Sequence, residues 1–113
     1  MHEYAVTQSM LDTVVREAGK SGAKKITEIR LVIGDLSTIL DESVQLYFDL
    51  LSEGTIAQGA KLIFKRIAAR FLCKECGNDF EKPARGFDCP KCGGFALPTE
   101  VGREFYIESI DVE

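Results

Sequence analysis

The chain has 113 residues, of which 45% are hydrophobic and 28% charged, with a formal net charge of −4. It is too apolar for a disordered chain, and it is acidic, without a run of like charge that could form a basic stripe for nucleic acid. No apolar stretch is long enough to cross a bilayer, and Met1-His2-Glu3-Tyr4 shows neither a basic n-region nor an apolar h-region, so a cytoplasmic location without membrane association is expected.

From Tyr4 to Ala18 apolar residues recur as Val6, Met10, Leu11, Val14 and Ala18, spaced by three and four, with Gly19 placed to end the run. This is the pattern of an amphipathic helix. Ile26 to Ile33 is rich in β-branched residues and alternates Glu28 and Arg30 with Ile29, Leu31 and Ile33, which reads as a strand with one face buried. Gly34-Asp35 breaks it. Asp41 can then N-cap a second helix with the stripe Leu40, Val44, Tyr47, Phe48 and Leu51, closed by Gly54. Ala60 to Ile67 forms a second strand that runs through Ala68-Ala69-Arg70 into a cysteine-bearing segment of about residues 70 to 102. Between its cysteine pairs, Phe80 and Phe87 flank Pro83 and Gly86 as in a short hairpin, and this lobe is expected to have little core of its own. Glu104 to Val112 resumes strand-like alternation.

Helix, strand, helix, strand, insertion, strand is an α+β pattern: a small three-stranded sheet with two helices, plus an inserted lobe. The expected domains are residues 1–69 with 103–113, and residues 70–102.

The four cysteines fall in two pairs, Cys73/Cys76 and Cys89/Cys92, with two residues inside each pair and twelve between the pairs. Two such turns aim four thiolates at one point, the tetrahedral shell that Zn²⁺ prefers. Gly77 and Gly93 follow the pairs and supply the permissive backbone that lets amides approach sulfur. In a reducing compartment thiols stay free, so zinc is favoured over disulfides. Iron in a rubredoxin-like site is the other reading, but there the pairs lie further apart. A closed four-sulfur shell leaves no open coordination position, so this metal is expected to fold the lobe and perform no reaction.

An enzyme is not expected. The cysteines are committed to metal, and Ser9, Ser21, Ser37, Ser43, Ser52 and Ser109 have no internal base beside them. The reading from another class is a zinc-ribbon module for nucleic acid or protein interaction: Lys74, Arg85 and Lys91 offer phosphate contacts, but Glu75, Asp79, Glu81 and Asp88 are interspersed among them.

The only histidine is His2. A histidine there can close a chelate through ring Nδ1 and its own backbone nitrogen, with the Met1 amine or the Glu3 amide completing a nitrogen-rich plane that suits Ni²⁺ or Cu²⁺. Met1-His2-Glu3, the following amphipathic helix, the strand Leu31-Val32-Ile33-Gly34-Asp35-Leu36, the segment Glu53-Gly54-Thr55 with Ala60, and the four-cysteine ribbon together resemble the HypA family of nickel metallochaperones. The resemblance spans essentially the whole chain. It implies a nickel site on His2, with Glu3 contributing its backbone nitrogen, and structural zinc on Cys73, Cys76, Cys89 and Cys92. It also implies delivery of nickel to the [NiFe]-hydrogenase large subunit in concert with a GTPase, HypB, and in some relatives to urease through its maturation factors. The family further suggests an acidic participant near the head of the second helix, where Asp41 stands; a helix cap is the simpler role for that residue.

Overall fold

The computed structural model describes residues 2–81 and 88–113, with His2 described through its backbone alone. In chain order the elements are helix α1 (His2–Lys20), strand β1 (Ile26–Gly34), helix α2 (Asp41–Leu51), and strands β2 (Lys61–Ile67), β3 (Arg70–Cys73), β4 (Asp79–Glu81), β5 (Ala96–Pro98) and β6 (Phe105–Val112), with a 3-10 turn at Asp35–Ser37. The strands form two three-stranded sheets, ordered β2-β1-β6 and β4-β3-β5. Two compact units result: Met1–Val32, Thr38–Lys65 and Tyr106–Glu113 make up one, and Ile33–Ser37 with Arg66–Phe105 the other. The α+β class with a three-stranded sheet, two helices and a cysteine lobe is therefore present.

In the first unit, α1 buries Met10, Leu11, Val14 and Ala18 as their spacing requires, while Val6 is only half-buried. Thr7 is fully buried although its hydroxyl breaks the apolar pattern. It is tolerated because Oγ1 donates to the Glu3 carbonyl one turn earlier. The helix extends past Gly19, and the chain leaves it where the Ser21 and Ala23 amides (3.2 and 3.0 Å) and the Ser21 hydroxyl (2.8 Å) all reach the Ala18 carbonyl.

The second helix differs from expectation at its head. Leu40, not Asp41, is the N-cap residue, with extended backbone and no side-chain capping bond. Asp41 is already helical, so it and Glu42 act as charges at the positive end of the helix dipole. Leu40 accordingly stands outside the buried stripe and is 57% exposed, leaving Val44 and Phe48 as the fully buried anchors. Helix α2 closes at Leu51 with Ser52 as C-cap, and Gly54 belongs to the turn beyond. Tyr4 of α1 meets Tyr47 of α2 edge to face, with ring centroids 5.4 Å apart.

Strand β1 is central, which is why Leu31 to Gly34 are buried in succession rather than alternately. Edge strand β2 exposes Lys61, Lys65 and Arg66, charges that discourage pairing with another chain. On the other side β1 and β6 run antiparallel: the Lys25 and Glu113 backbones exchange bonds of 3.3 and 2.8 Å at one end, and the Gly34 amide reaches the Glu104 carbonyl at 2.7 Å at the other. The Arg30 guanidinium clasps Asp111 across this pair, with Nη1 and Nη2 donating to its two oxygens at 3.2 and 2.8 Å, and also reaches Glu28 and the Ser109 hydroxyl.

In the second unit β3 is the central strand, with Phe71 opposite Phe80 of β4 and Pro98 of β5. The two phenyl rings stack at 6.2 Å. Ala69, Phe71, Cys73, Phe80, Cys89 and Ala96 form a compact cluster with Leu36 packed against it, a small core to which the cysteines themselves contribute. The hairpin foreseen after Phe80 turns on Pro83, Gly86 and Phe87, which lie outside the described residues. Ile33–Ser37 join this unit through the Gly34–Glu104 bond, a Leu36 amide to Gly102 carbonyl bond of 2.7 Å and an Arg66–Asp35 ion pair of 3.0 Å.

Two measurements check this packing. A methyl group at Gly34 would lie 2.1 Å from the Gly102 carbonyl carbon, so Gly34→Ala should lower stability by about 2 kcal/mol in urea titration. The hydrogen bond from Arg30 holds the Asp111 carboxyl below its ordinary value of 3.8, so its stabilisation is present above that value and lost as pH falls through the lower folded one. Asp111→Asn should therefore shift the urea midpoint slightly downward at pH 7, and the difference from wild type should vanish under strong acid.

Candidate metal centre

Cys73 ends β3, Cys76 closes the turn after it, and Cys89 and Cys92 repeat that arrangement after the isolated bridge between Asp88 and Phe95. The two turns are near copies. Each first cysteine receives through its carbonyl the amide of the glycine four residues on, Gly77 at 3.1 Å and Gly93 at 2.8 Å. Both glycines have φ near +75°, the left-handed conformation this turn demands. Each first cysteine's own amide donates to the carbonyl five residues on, Asn78 or Gly94, at 2.9 Å in both turns.

These backbones aim their amides at sulfur. The Glu75 and Cys76 amides lie 3.4 Å from Cys73 Sγ, the Lys91 amide 3.4 Å from Cys89 Sγ and the Gly94 amide 3.4 Å from Cys92 Sγ. N–H donors at that range stabilise thiolate over thiol. Sequence reasoning missed two neighbours. Asn78 Nδ2 adds a side-chain donor 3.6 Å from Cys89 Sγ, and the Glu75 carboxylate lies against Gly94, where a Cβ would come within 2.3 Å of it. The available signal was positional: Asn78 and Gly94 occupy equivalent places in the two turns, and only one carries a side chain.

All four sulfurs lie within 4.8 Å of one another, with Cys73–Cys92 at 3.5 Å and Cys76–Cys89 at 3.6 Å. A tetrahedral ion with bonds of about 2.3 Å sets its sulfurs about 3.8 Å apart, so the donor set and its spacing fit a thiophilic tetrahedral metal. In the metal-free lobe the four thiols cannot all ionise. Burial opposes the Cys89 thiolate, but the Cys92 and Lys91 amides with Asn78 outweigh it and bring that thiol down to about 6. The Gly94 amide favours the Cys92 thiolate, yet the bonds from Cys73 and Cys76 prevail and push it up to about 12. Amide bonds from Cys76 and Glu75 likewise lower Cys73.

At the amino end, His2 is the first residue of α1; its side chain and Met1 lie outside the described residues, and the chelate drawn from them with it. Glu3 sits half-buried in the first turn, its carbonyl bound by Thr7 Oγ1 at 2.5 Å. Asp41 heads α2.

The family described as "Hydrogenase/urease nickel incorporation, metallochaperone, hypA" matches residues 1–112. The chain belongs to the HypA family. A hydrogenase maturation factor HypA of Caldanaerobacter subterraneus subsp. tengcongensis is 52% identical over 100% of both chains, and one of Dehalococcoides mccartyi is 44% identical over 100% of this chain and 95% of the relative. The solution structure of the nickel metallochaperone HypA from Helicobacter pylori superposes with a TM-score of 0.66 at 26% identity, covering 99% of this chain and 97% of that one. A second HypA solution structure gives 0.71 at 26% identity, covering 100% and 97%. Nickel incorporation during hydrogenase maturation is thus the family's role, and the four cysteines of this chain form a cluster whose sulfurs could hold a metal ion.

Because metal binding at such sites contributes on the order of 10 kcal/mol to folding, stripping the metal with a chelator should dissolve the β4-β3-β5 sheet. Amide NMR signals of Phe71, Leu72 and Phe80 are the readout. Cys89→Ser should give the same spectrum without chelator.

Proposed function

We propose that this chain binds Ni²⁺ at its amino terminus and, in concert with a GTPase of the HypB type, delivers it to the large subunit of [NiFe]-hydrogenase. Urease, named in the family's description, is a second destination through its maturation factors. His2 supplies the imidazole and a backbone nitrogen, and Glu3 supplies the next backbone nitrogen. Residues 1–69 with 103–113 carry nickel. Residues 70–102 hold Zn²⁺ on Cys73, Cys76, Cys89 and Cys92 as a structural ion.

One observation supports the nickel reading above others: the turn that bears His2 and Glu3 is built into the fold. Thr7, itself buried, grips the Glu3 carbonyl, and Tyr4 leans on Tyr47 of α2. The ligand-bearing backbone is thereby held in place at the head of a nineteen-residue helix. One imidazole with amide nitrogens makes a releasable site, because each amide must lose a proton to bind and regains it on transfer. The chemistry is ligand exchange, without covalent turnover. Zinc fits the four-sulfur shell because it completes a closed tetrahedron that needs no further ligand.

Calorimetry of untagged protein tests the nickel site. His2→Ala should lose specific Ni²⁺ binding while zinc content and fold persist, and Glu3→Gln, which keeps the backbone nitrogen, should lose affinity only in part. A Gly-Ser extension before Met1 should weaken binding, whereas a tag after Glu113 should not. Stoichiometric, tight Ni²⁺ binding by the His2→Ala protein would move the site elsewhere.

A further inference from the structure

Thr7 is a polar residue on the buried face of α1. It has no exposed surface, so its hydroxyl cannot turn to water, and Oγ1 donates to the Glu3 carbonyl at 2.5 Å. That oxygen shares a peptide plane with the Tyr4 nitrogen, so the hydroxyl that holds the one sets the direction of the other. A second restraint acts on the same residue pair: the Tyr4 ring meets Tyr47 of α2 edge to face, with 5.4 Å between centroids and 82° between planes. The peptide plane between His2 and Glu3 lies on the terminal side of both grips.

Each backbone nitrogen that joins a metal closes a small chelate ring, and closure needs successive nitrogens nearly eclipsed about the Cα–C bond, a torsion that a helix does not have. An ion that gathers nitrogens from the terminus inward therefore unwinds the chain one peptide plane at a time. The first amides of a helix are not spent on its own carbonyls, so helical bonding does not rank the Glu3 and Tyr4 nitrogens as ligands. The grip of Thr7 does. We propose that Thr7 is a positioning residue that ends nickel chelation at the Glu3 nitrogen, its buried hydroxyl holding the Glu3–Tyr4 peptide plane out of the metal plane through the Glu3 carbonyl. The inference rests on the terminal nickel reading above and adds to it what limits the ligand set. The His2 imidazole with the His2 and Glu3 nitrogens fills three corners of a square plane, and the Tyr4 nitrogen is next in line for the fourth. Were it recruited, its proton would pass to solvent as the N–Ni bond formed, and that proton would have to return before the ion could leave. By withholding this nitrogen, Thr7 leaves the fourth corner to a ligand that exchanges readily, and the cargo stays releasable.

The test uses the untagged, zinc-loaded full chain carrying one equivalent of Ni²⁺. Thr7→Val keeps the shape and removes the donor, Thr7→Ser keeps the donor, and Tyr47→Ala removes the second restraint without touching the buried site. The readouts are the rate at which nickel passes to excess EDTA and the position of its visible absorption band, which moves to shorter wavelength when an amide nitrogen replaces a weaker ligand. Thr7→Val should release nickel about tenfold more slowly than wild type, with the band displaced to shorter wavelength. Tyr47→Ala should move both readouts the same way, and Thr7→Ser should return them to wild-type values. Circular dichroism should be unchanged throughout. A Thr7→Val protein with the wild-type band and a release rate within about twofold overturns the proposal, and so does one that releases nickel faster, since the hydroxyl would then merely steady the helix. His2→Ala separates the two readings. If nickel stays bound there with the same band, the terminal site and this inference fall together; if nickel is lost there while the Thr7 variants are silent, the inference alone falls.

Discussion

Four sulfur atoms within 4.8 Å of one another cannot all carry charge unless a cation stands among them. The second unit depends on that constraint. Among the described residues its core is six residues, two of which are the cysteines themselves, and its strands are three or four residues long. Such a cluster buries too little apolar surface to hold a sheet without help. A metal bound there would supply the missing cohesion, and the amides aimed at sulfur prepare the site for it by lowering the cost of ionised thiols. In the absence of metal the charge would be shared unequally, with Cys89 ionising near 6 and Cys92 held to about 12.

The first unit solves a different problem. On the proposed reading it would hold a metal firmly enough to carry it and loosely enough to give it up. Its core is conventional, built from one face of each helix and the central strand, and that rigidity extends to the first turn of α1 through Thr7 and Tyr4. The proposed ligands sit at the margin of that rigid body. The two proposed metals would thus be served by opposite designs: four side chains converging from two turns in one case, and a single imidazole with backbone nitrogens in the other.

Much of this was legible in the chain itself. The paired cysteines with their trailing glycines specify the metal turns because only left-handed residues fit after the second cysteine, and the three-four spacing of Met10, Leu11, Val14 and Ala18 specifies α1 because burial selects for it. What the pattern concealed has identifiable causes. Leu40 reads as part of the α2 stripe by spacing, yet at the cap it lies before the helical geometry begins and points away from the core face. Thr7 is silent in any hydrophobic count because its hydroxyl is satisfied by its own helix. Strands β3, β4 and β5 are too short for periodicity to reveal, and their pairing is fixed by the turns that place the cysteines. Asn78 and Glu75 touch the sulfur site only because the two turns are folded face to face.

The near-identity of the two cysteine turns bears on the order in which the lobe assembles. Each turn closes over six residues, Cys73 to Asn78 and Cys89 to Gly94, whereas joining Cys73 to Cys89 closes a loop of sixteen steps. Loop-closure entropy rises with length, so either turn forms faster alone than the two form together. On this argument an arriving ion would meet a two-sulfur half-site first, and the second turn would then add to an ion already held. Either half can serve first. Two equivalent entry routes to one native state would follow from that symmetry, provided both turns keep their cysteines.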